Sequence, residues 1–531
     1  MAVDLEAYAM FDKRKDDPVF MENLLKHGSE IVDSKEGVDK ILYAQEISRV
    51  LARVAVHERV LAEKEKRPRD EDKYNIYHRT ALYIARKGID IGMDMETEAH
   101  FNDDKPLDVS FNYHMSWLFV QYSMMLAETS RYFAAMNAIV NADNYLIHDA
   151  YRIASEGRLQ QVIDSVKNLP EYKNASFDFT KELPPELVDK ALGVLYRSLF
   201  DAISDKKLRI LFKIYKEVPD RYRDLFAGYV ASIVTYFLEG KDKESFETYG
   251  EIAITIQGEY QKKPDKILTL PELSQKNPNH TETQDEKNYA LWVVGGGLSL
   301  SYLDFVPDMD ERLKYICDDL VFDFHVPELN LMMEDVMETY AHCRFQIYVA
   351  TGYESPIANL AYSFSPLSKR VYNGELLLDI YPRLYSILDK LSHIVMRICG
   401  ITLEPNKDGY IPQPSYNLIV KEIRKHSDGN PYLLTLCEIF DEINPRFIYN
   451  KQKDHPFYTM LPEAEHMDRI RHHIIHSGIS LTEKDSGKKS NSEMCHITEI
   501  EFARRCYNLL TLVKEAIMNT CMAIEYRNRQ E

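Results

Sequence analysis

Apolar residues recur along this chain at steps of three and four. Between 41 and 63, Ile41, Ala44, Ile47, Leu51 and Val54 form one stripe with charged residues opposite. That is the pattern of a helix with one face in a core and one in water. Similar runs occupy 76–92, 115–140, 187–203, 206–217, 222–239 and 243–260. Alternating, strand-like runs are few, and an Asn-Gly hairpin signal occurs only at Asn373-Gly374. The pattern predicts an all-α protein.

Two stretches read as helical hairpins. Tyr145–Ala154 and Leu159–Leu169 flank Glu156-Gly157-Arg158, while Tyr229–Leu238 and Phe246–Ile256 flank Glu239-Gly240-Lys241. Such units stack into α-solenoids of the TPR kind, although any large α-protein contains hairpins. The two turns are 83 residues apart, which is no multiple of the TPR period of about 34. The expectation is an irregular helical-repeat, TPR-like region over 1–261. A polar, proline-punctuated loop follows at 262–288, then a helical connecting region at 289–370, and a last bundle at 371–531.

The chain has 531 residues, enough for two or three domains. At 45% hydrophobic and 28% charged it is neither collagen-like nor wholly disordered. Its formal charge of -19 excludes a protein basic all over, so a nucleic-acid contact must be a local patch. The charge is uneven. Residues 371–531 carry 20 basic and 22 acidic residues, whereas the rest carries 45 and 62. The C-terminal part is thus near neutral, holds 8 of the 17 histidines, and hosts a polyanion more easily. Seven cysteines without CxxC spacing read as reduced thiols. No targeting segment and no apolar run of spanning length is visible, so a cytoplasmic protein without membrane contact is expected. Gly295-Gly296-Gly297 lacks the Gly-Lys-Ser/Thr of a phosphate loop and reads as a flexible or close-packed turn.

The C-terminal part has three framing helices. One covers 375–399 and contains Pro382. A second opens at Asn430-Pro431-Tyr-Leu433, where proline follows a capping residue. A third covers 498–526 and starts with the capping-box pattern Thr498-x-x-Glu501. Between the last two, Pro462 starts a helix and Gly478 stops it, with Met467, Ile470 and Ile474 as the expected buried stripe. Arg469, Arg471, His472, His473 and His476 make this helix a basic concentration in an acidic protein. His472 and His476 have the i,i+4 spacing of paired zinc ligands. Residue 473 is not Glu, however, and nothing nearby completes a site, so no metal and no cofactor is expected. A plainer reading has the histidines at a favourable helix end and Arg471 paired with a carboxylate such as Asp468.

Arg471-His472-His473-Ile474-Ile475-His476 spells Arg-x4-His. Here the sequence resembles the HEPN superfamily of ribonucleases, over about 371–531, in a branch whose catalytic bundle follows TPR-like repeats. The resemblance implies that Arg471 and His476 are catalytic, and that His472 is a third candidate catalytic residue in a polar place usually held by Asn or Asp. It further implies a homodimer with two motifs facing one cleft, and metal-independent endoribonuclease activity leaving a 2′,3′-cyclic phosphate. HEPN proteins often act as toxins or phage-defence effectors, so the N-terminal region would sense a protein or small-molecule trigger. RNA contacts are expected from Arg469 and His473 and from Lys488 and Lys489 in a basic loop after the motif. Histidine suits proton transfer near neutral pH, and arginine offers phosphate a planar, permanently charged fork. On a regular helix Arg471 and His476 diverge by about 140°. They meet on one phosphate only if the helix frays or a second subunit contributes. The alternative is a non-enzymatic helical scaffold whose degenerate HEPN bundle only dimerises or binds RNA.

Overall fold

The structure is a computed structural model. It describes residues 11–67, 71–101, 107–155, 197–217, 283–302, 318–351, 368–426, 429–443, 462–482 and 494–530, a few positions within these ranges excepted. They are almost entirely helical and fall into two compact units, one up to Ile214 and one from Tyr215 onward.

The first unit contains α1 (Pro18–Asp33), α2 (Asp39–Glu65), α3 (Glu71–Phe101), α4 (Phe111–Glu128) and α5 (Tyr132–Ser155), and most of α6 (Arg197–Glu217). Asp17 starts α1 by accepting the Val19 and Phe20 amides at 3.0 and 3.2 Å, ahead of Pro18 at the first helical position. Helices α4 and α5 run antiparallel, as Ser123 Oγ donating to Ala135 O and Ser116 Oγ to Ala142 O show. The single run expected over 115–140 is therefore two helices. Thr129-Ser130-Arg131 reverses the chain, with Ser130 at φ 61°, and no glycine or proline advertises the break. Close helix crossings depend on Gly88 and Gly92 of α3. A Cβ on Gly88 would stand 2.5 Å from Ala44 Cβ, and one on Gly92 would overlap Met115.

The second arm of the first expected hairpin, the whole of the second, and residues 262–282 of the expected polar loop lie outside the described residues. The end of that loop is helical. Thr283 and Glu286 close a reciprocal capping box and start α7 (Gln284–Gly295).

The second unit continues with α8 (Pro327–Thr351), α9 (Ser368–Ile398), α10 (Tyr416–His426), α11 (Pro431–Ile443), α12 (Pro462–His476) and α13 (Glu499–Gln530). Leu329, Met333, Val336, Tyr340, Cys343 and Ile347 give α8 a buried seam at alternating steps of four and three. That seam packs on α9 and α13, and α13 in turn packs on α11. Helix α13 is buried along most of its length, from Phe502 to Ile524, and forms the centre of this core.

Capping residues read from the sequence are in place. Asn430 Oδ1 accepts the Tyr432 and Leu433 amides while its Nδ2 donates to Ala523 O of α13, so one buried side chain starts α11 and ties it to the core. Thr498 Oγ1 accepts the Glu501 amide at the head of α13. The Gly295–Gly297 turn is close-packed: Tyr507 donates to Gly296 O and the buried Lys514 ammonium to Gly297 O. Next to it, Leu298 O accepts from Tyr340 and from Arg344.

One feature departs from the all-helical expectation. Ile479–Thr482 (β1) and Cys495–Thr498 (β2) pair in parallel, Ile479 opposite Cys495. Each is only four residues long, too short for alternation to stand out from the helical background. Parallel partners need a connection of about a dozen residues or more, and the segment from 483 to 494 supplies it.

Candidate active site

Helix α12 carries every candidate residue except the two lysines. It packs on α9 and α11 and meets both strands at its C-terminal end. Met467 and Ile470 are buried as expected. The next buried position is His473 at 2% exposure, while Ile474 is only half-buried. His473, expected to meet RNA, thus faces the protein interior, because it stands three residues beyond Ile470 on the same face. Arg469 is half-buried, and Lys488 and Lys489 lie outside the described residues.

Arg471 is turned toward α9 and α10. Its Nη1 donates to Tyr416 Oη at 3.3 Å, and its guanidinium carbon lies 4.9 Å from the centre of the Tyr385 ring. The two tyrosine rings stand 5.9 Å apart, so they form an aromatic seat for the cation. Asp389 completes the surroundings by accepting the backbone N–H of Tyr416, the first residue of α10. Burial pushes the Asp389 carboxyl above its ordinary value, and Arg471, that N–H and His393 pull the other way. The expected pairing partner Asp468 has no described side chain.

His472 and His476 are both exposed, one helical turn apart, with ring centres 5.0 Å apart and planes inclined at 51°. The structure therefore brings the two histidines together on one face and leaves Arg471 on another. Among the described residues no hydrogen bond or ion pair joins Arg471 to either. This is the divergence anticipated from helical geometry, and no fraying inside α12 relieves it.

Sequence reasoning missed Tyr416, Asp389 and Tyr385 as neighbours of the motif. Tyr385 and Asp389 stand at i and i+4 on α9, which is the one signal that they share a face. Tyr416, 55 residues before Arg471, has no local signal.

Among the described residues, no group of three or more His, Cys, Asp or Glu stands close enough to hold a metal ion. No helix among them is long and apolar enough to cross a membrane. No curated protein and no solved structure matches the chain. Residues 320–527, about two fifths of its length, match the family model described as LA2681-like HEPN. The match begins early enough to include α8 with the bundle expected from 371 onward. With its helical build, the C-terminal part of this chain carries a HEPN domain, similar over residues 320–527 to the LA2681-like model.

Proposed function

We propose that the chain is a metal-independent endoribonuclease that cleaves RNA through the substrate's own 2′-hydroxyl. HEPN domains are commonly ribonucleases. The observation that carries the reading is how α12 presents its two kinds of charge-handling group. Arg471 is held in a fixed orientation by Tyr416 and Tyr385, and His476 stands exposed at the helix end. A seated guanidinium is a pre-oriented cation for the charge that grows on the phosphoryl oxygens. An exposed imidazole is free to take and return protons.

Because the two groups leave α12 on different sides, one chain alone does not direct both at one phosphate. The reading therefore includes a homodimer through the C-terminal bundle, with each Arg471 serving the phosphate addressed by the other copy's histidine. Lys488 and Lys489 would add phosphate contacts. The N-terminal region would restrain the site until a trigger arrives, as suits a growth-arresting toxin or phage-defence effector.

A second reading has support in the inward contacts of Arg471, which would equally serve a scaffold. Incubating the purified full chain with total RNA in EDTA separates the two. The ribonuclease reading expects cleavage with 2′,3′-cyclic phosphate ends, lost in Arg471→Ala and His476→Ala variants that keep their helical content. Intact RNA supports the scaffold, and cleavage abolished by EDTA supports a metal-dependent enzyme.

A further inference from the structure

In-line displacement at phosphorus asks for two proton transfers. One proton leaves the attacking oxygen, and another reaches the departing oxygen on the far side. A single imidazole cannot stand at both places in one step. The end of α12 offers two. His472 and His476 share a face, both are exposed, and their ring centres are 5.0 Å apart. Their planes are inclined at 51°, so the rings are tilted and not stacked face to face. His473, between them in sequence, is buried and excluded from the face. A continuous helix fixes the spacing of the pair, so the two bases need no rearrangement to act together.

We propose that His472 and His476 act as a general acid–base couple, with His472 as the second proton carrier beside His476. The proposal rests on the ribonuclease reading above. In the first step the neutral imidazole of the pair takes the proton of the 2′-hydroxyl. The 2′ oxygen then forms a bond to phosphorus as the bond from phosphorus to the 5′ oxygen breaks. The protonated imidazole gives its proton to the departing 5′ oxygen. The products are a 2′,3′-cyclic phosphate and a free 5′-hydroxyl, with no net gain or loss of electrons. The pair ends with its one proton on the other ring, and solvent exchange resets it. Arg471 has no proton to move in this scheme and supplies charge alone.

The experiment is a pH–rate profile of the full chain on an RNA oligonucleotide in EDTA, for the wild type, His472→Asn and His476→Asn. Both substituted side chains are exposed, and circular dichroism verifies the fold. A second substrate, uridine 3′-(4-nitrophenyl phosphate), has a leaving group that departs without a proton. The wild type is expected to give a bell-shaped profile. Each variant should keep one limb, lose the other, and cleave RNA more slowly by about 10²–10⁴-fold. On the activated ester, the variant lacking the acid recovers and the one lacking the base does not. His472→Asn with the wild-type rate and both limbs would overturn the couple while leaving the ribonuclease reading intact. So would equal recovery of both variants on the ester. EDTA abolishing wild-type cleavage would reassign the pair to metal ligation. A wild type that cuts no RNA at any pH removes the ribonuclease reading itself, and the couple with it.

Discussion

Replacing Arg344 by methionine, of similar length but without charge, should destabilise the second unit more than a typical substitution. The side chain is 3% exposed and makes four hydrogen bonds. Both ends of its fork reach Asp318 at 2.7 Å, Nη1 also reaches Leu298 O at 3.0 Å, and Nε reaches Tyr289 Oη at 3.1 Å. Breaking a buried ion pair by removing one partner costs about 3–5 kcal/mol, because the other charge stays behind uncompensated. Asp318 is 26% exposed and keeps the Leu300 amide as a donor, which places the cost near the lower end, about 3 kcal/mol. That is roughly a hundredfold in the folding equilibrium. With a urea slope of about 2–3 kcal/mol per molar, the midpoint of the second unit's transition should fall by about 1 M. Combining the substitution with Asp318→Asn should cost less than the two singles added, with a coupling of about 0.5–3 kcal/mol. An Arg344→Met chain within 1 kcal/mol of wild type (~1 kcal/mol, the ordinary scale of a substitution), or strict additivity in the double variant, would refute the reasoning.

Other measurements address the first unit and the site. Gly88→Ala should lower the melting temperature, because a methyl 2.5 Å from Ala44 Cβ and 2.8 Å from Leu118 Cδ2 outweighs the gain of about 1 kcal/mol in helix propensity; an unchanged or higher melting temperature contradicts that crossing. Tyr416→Phe removes the hydrogen bond that Arg471 donates to the Tyr416 hydroxyl and, under the ribonuclease reading, should slow cleavage about ten- to a hundredfold with the fold retained. Tyr385→Leu should act in the same direction through the lost aromatic face, and an unchanged rate in both variants would deprive the seat of its role. Asp389 holds its proton to a higher pH when folded than when unfolded, so its contribution to stability is lost as pH rises from the ordinary carboxylate range through the raised value. Asp389→Asn should therefore gain stability on the wild type above that window and not below it, and denaturation at both ends of the window tests the sign.

What the sequence made legible was whatever depends on neighbours within a turn or two. Pro462 and the halt before Gly478 bound α12 as read, and Asn430 and Thr498 cap α11 and α13. Where two residues compete for one face, local pattern chose wrongly. From Ile470, positions 473 and 474 both point toward the core, and hydropathy favoured Ile474, yet packing among α9, α11 and the strands buries His473. Long-range partners were out of reach. Tyr416 and Asp389 come to Arg471 from 55 and 82 residues away by the folding of α9 and α10 onto α12. The reversal at Ser130 hid because α4 and α5 both bury apolar faces, so their stripes run on almost in phase.

Strand β1 begins three residues after His476, and Cys495 of β2 donates its amide to Gly478 O, returning the chain to the point it left. The two ends of the segment between the strands are thereby held side by side. Closing a flexible span of twice the length costs only about 0.6 kcal/mol more. Segments of different length and charge can therefore be exchanged between the two strands while the end of α12 stays in place.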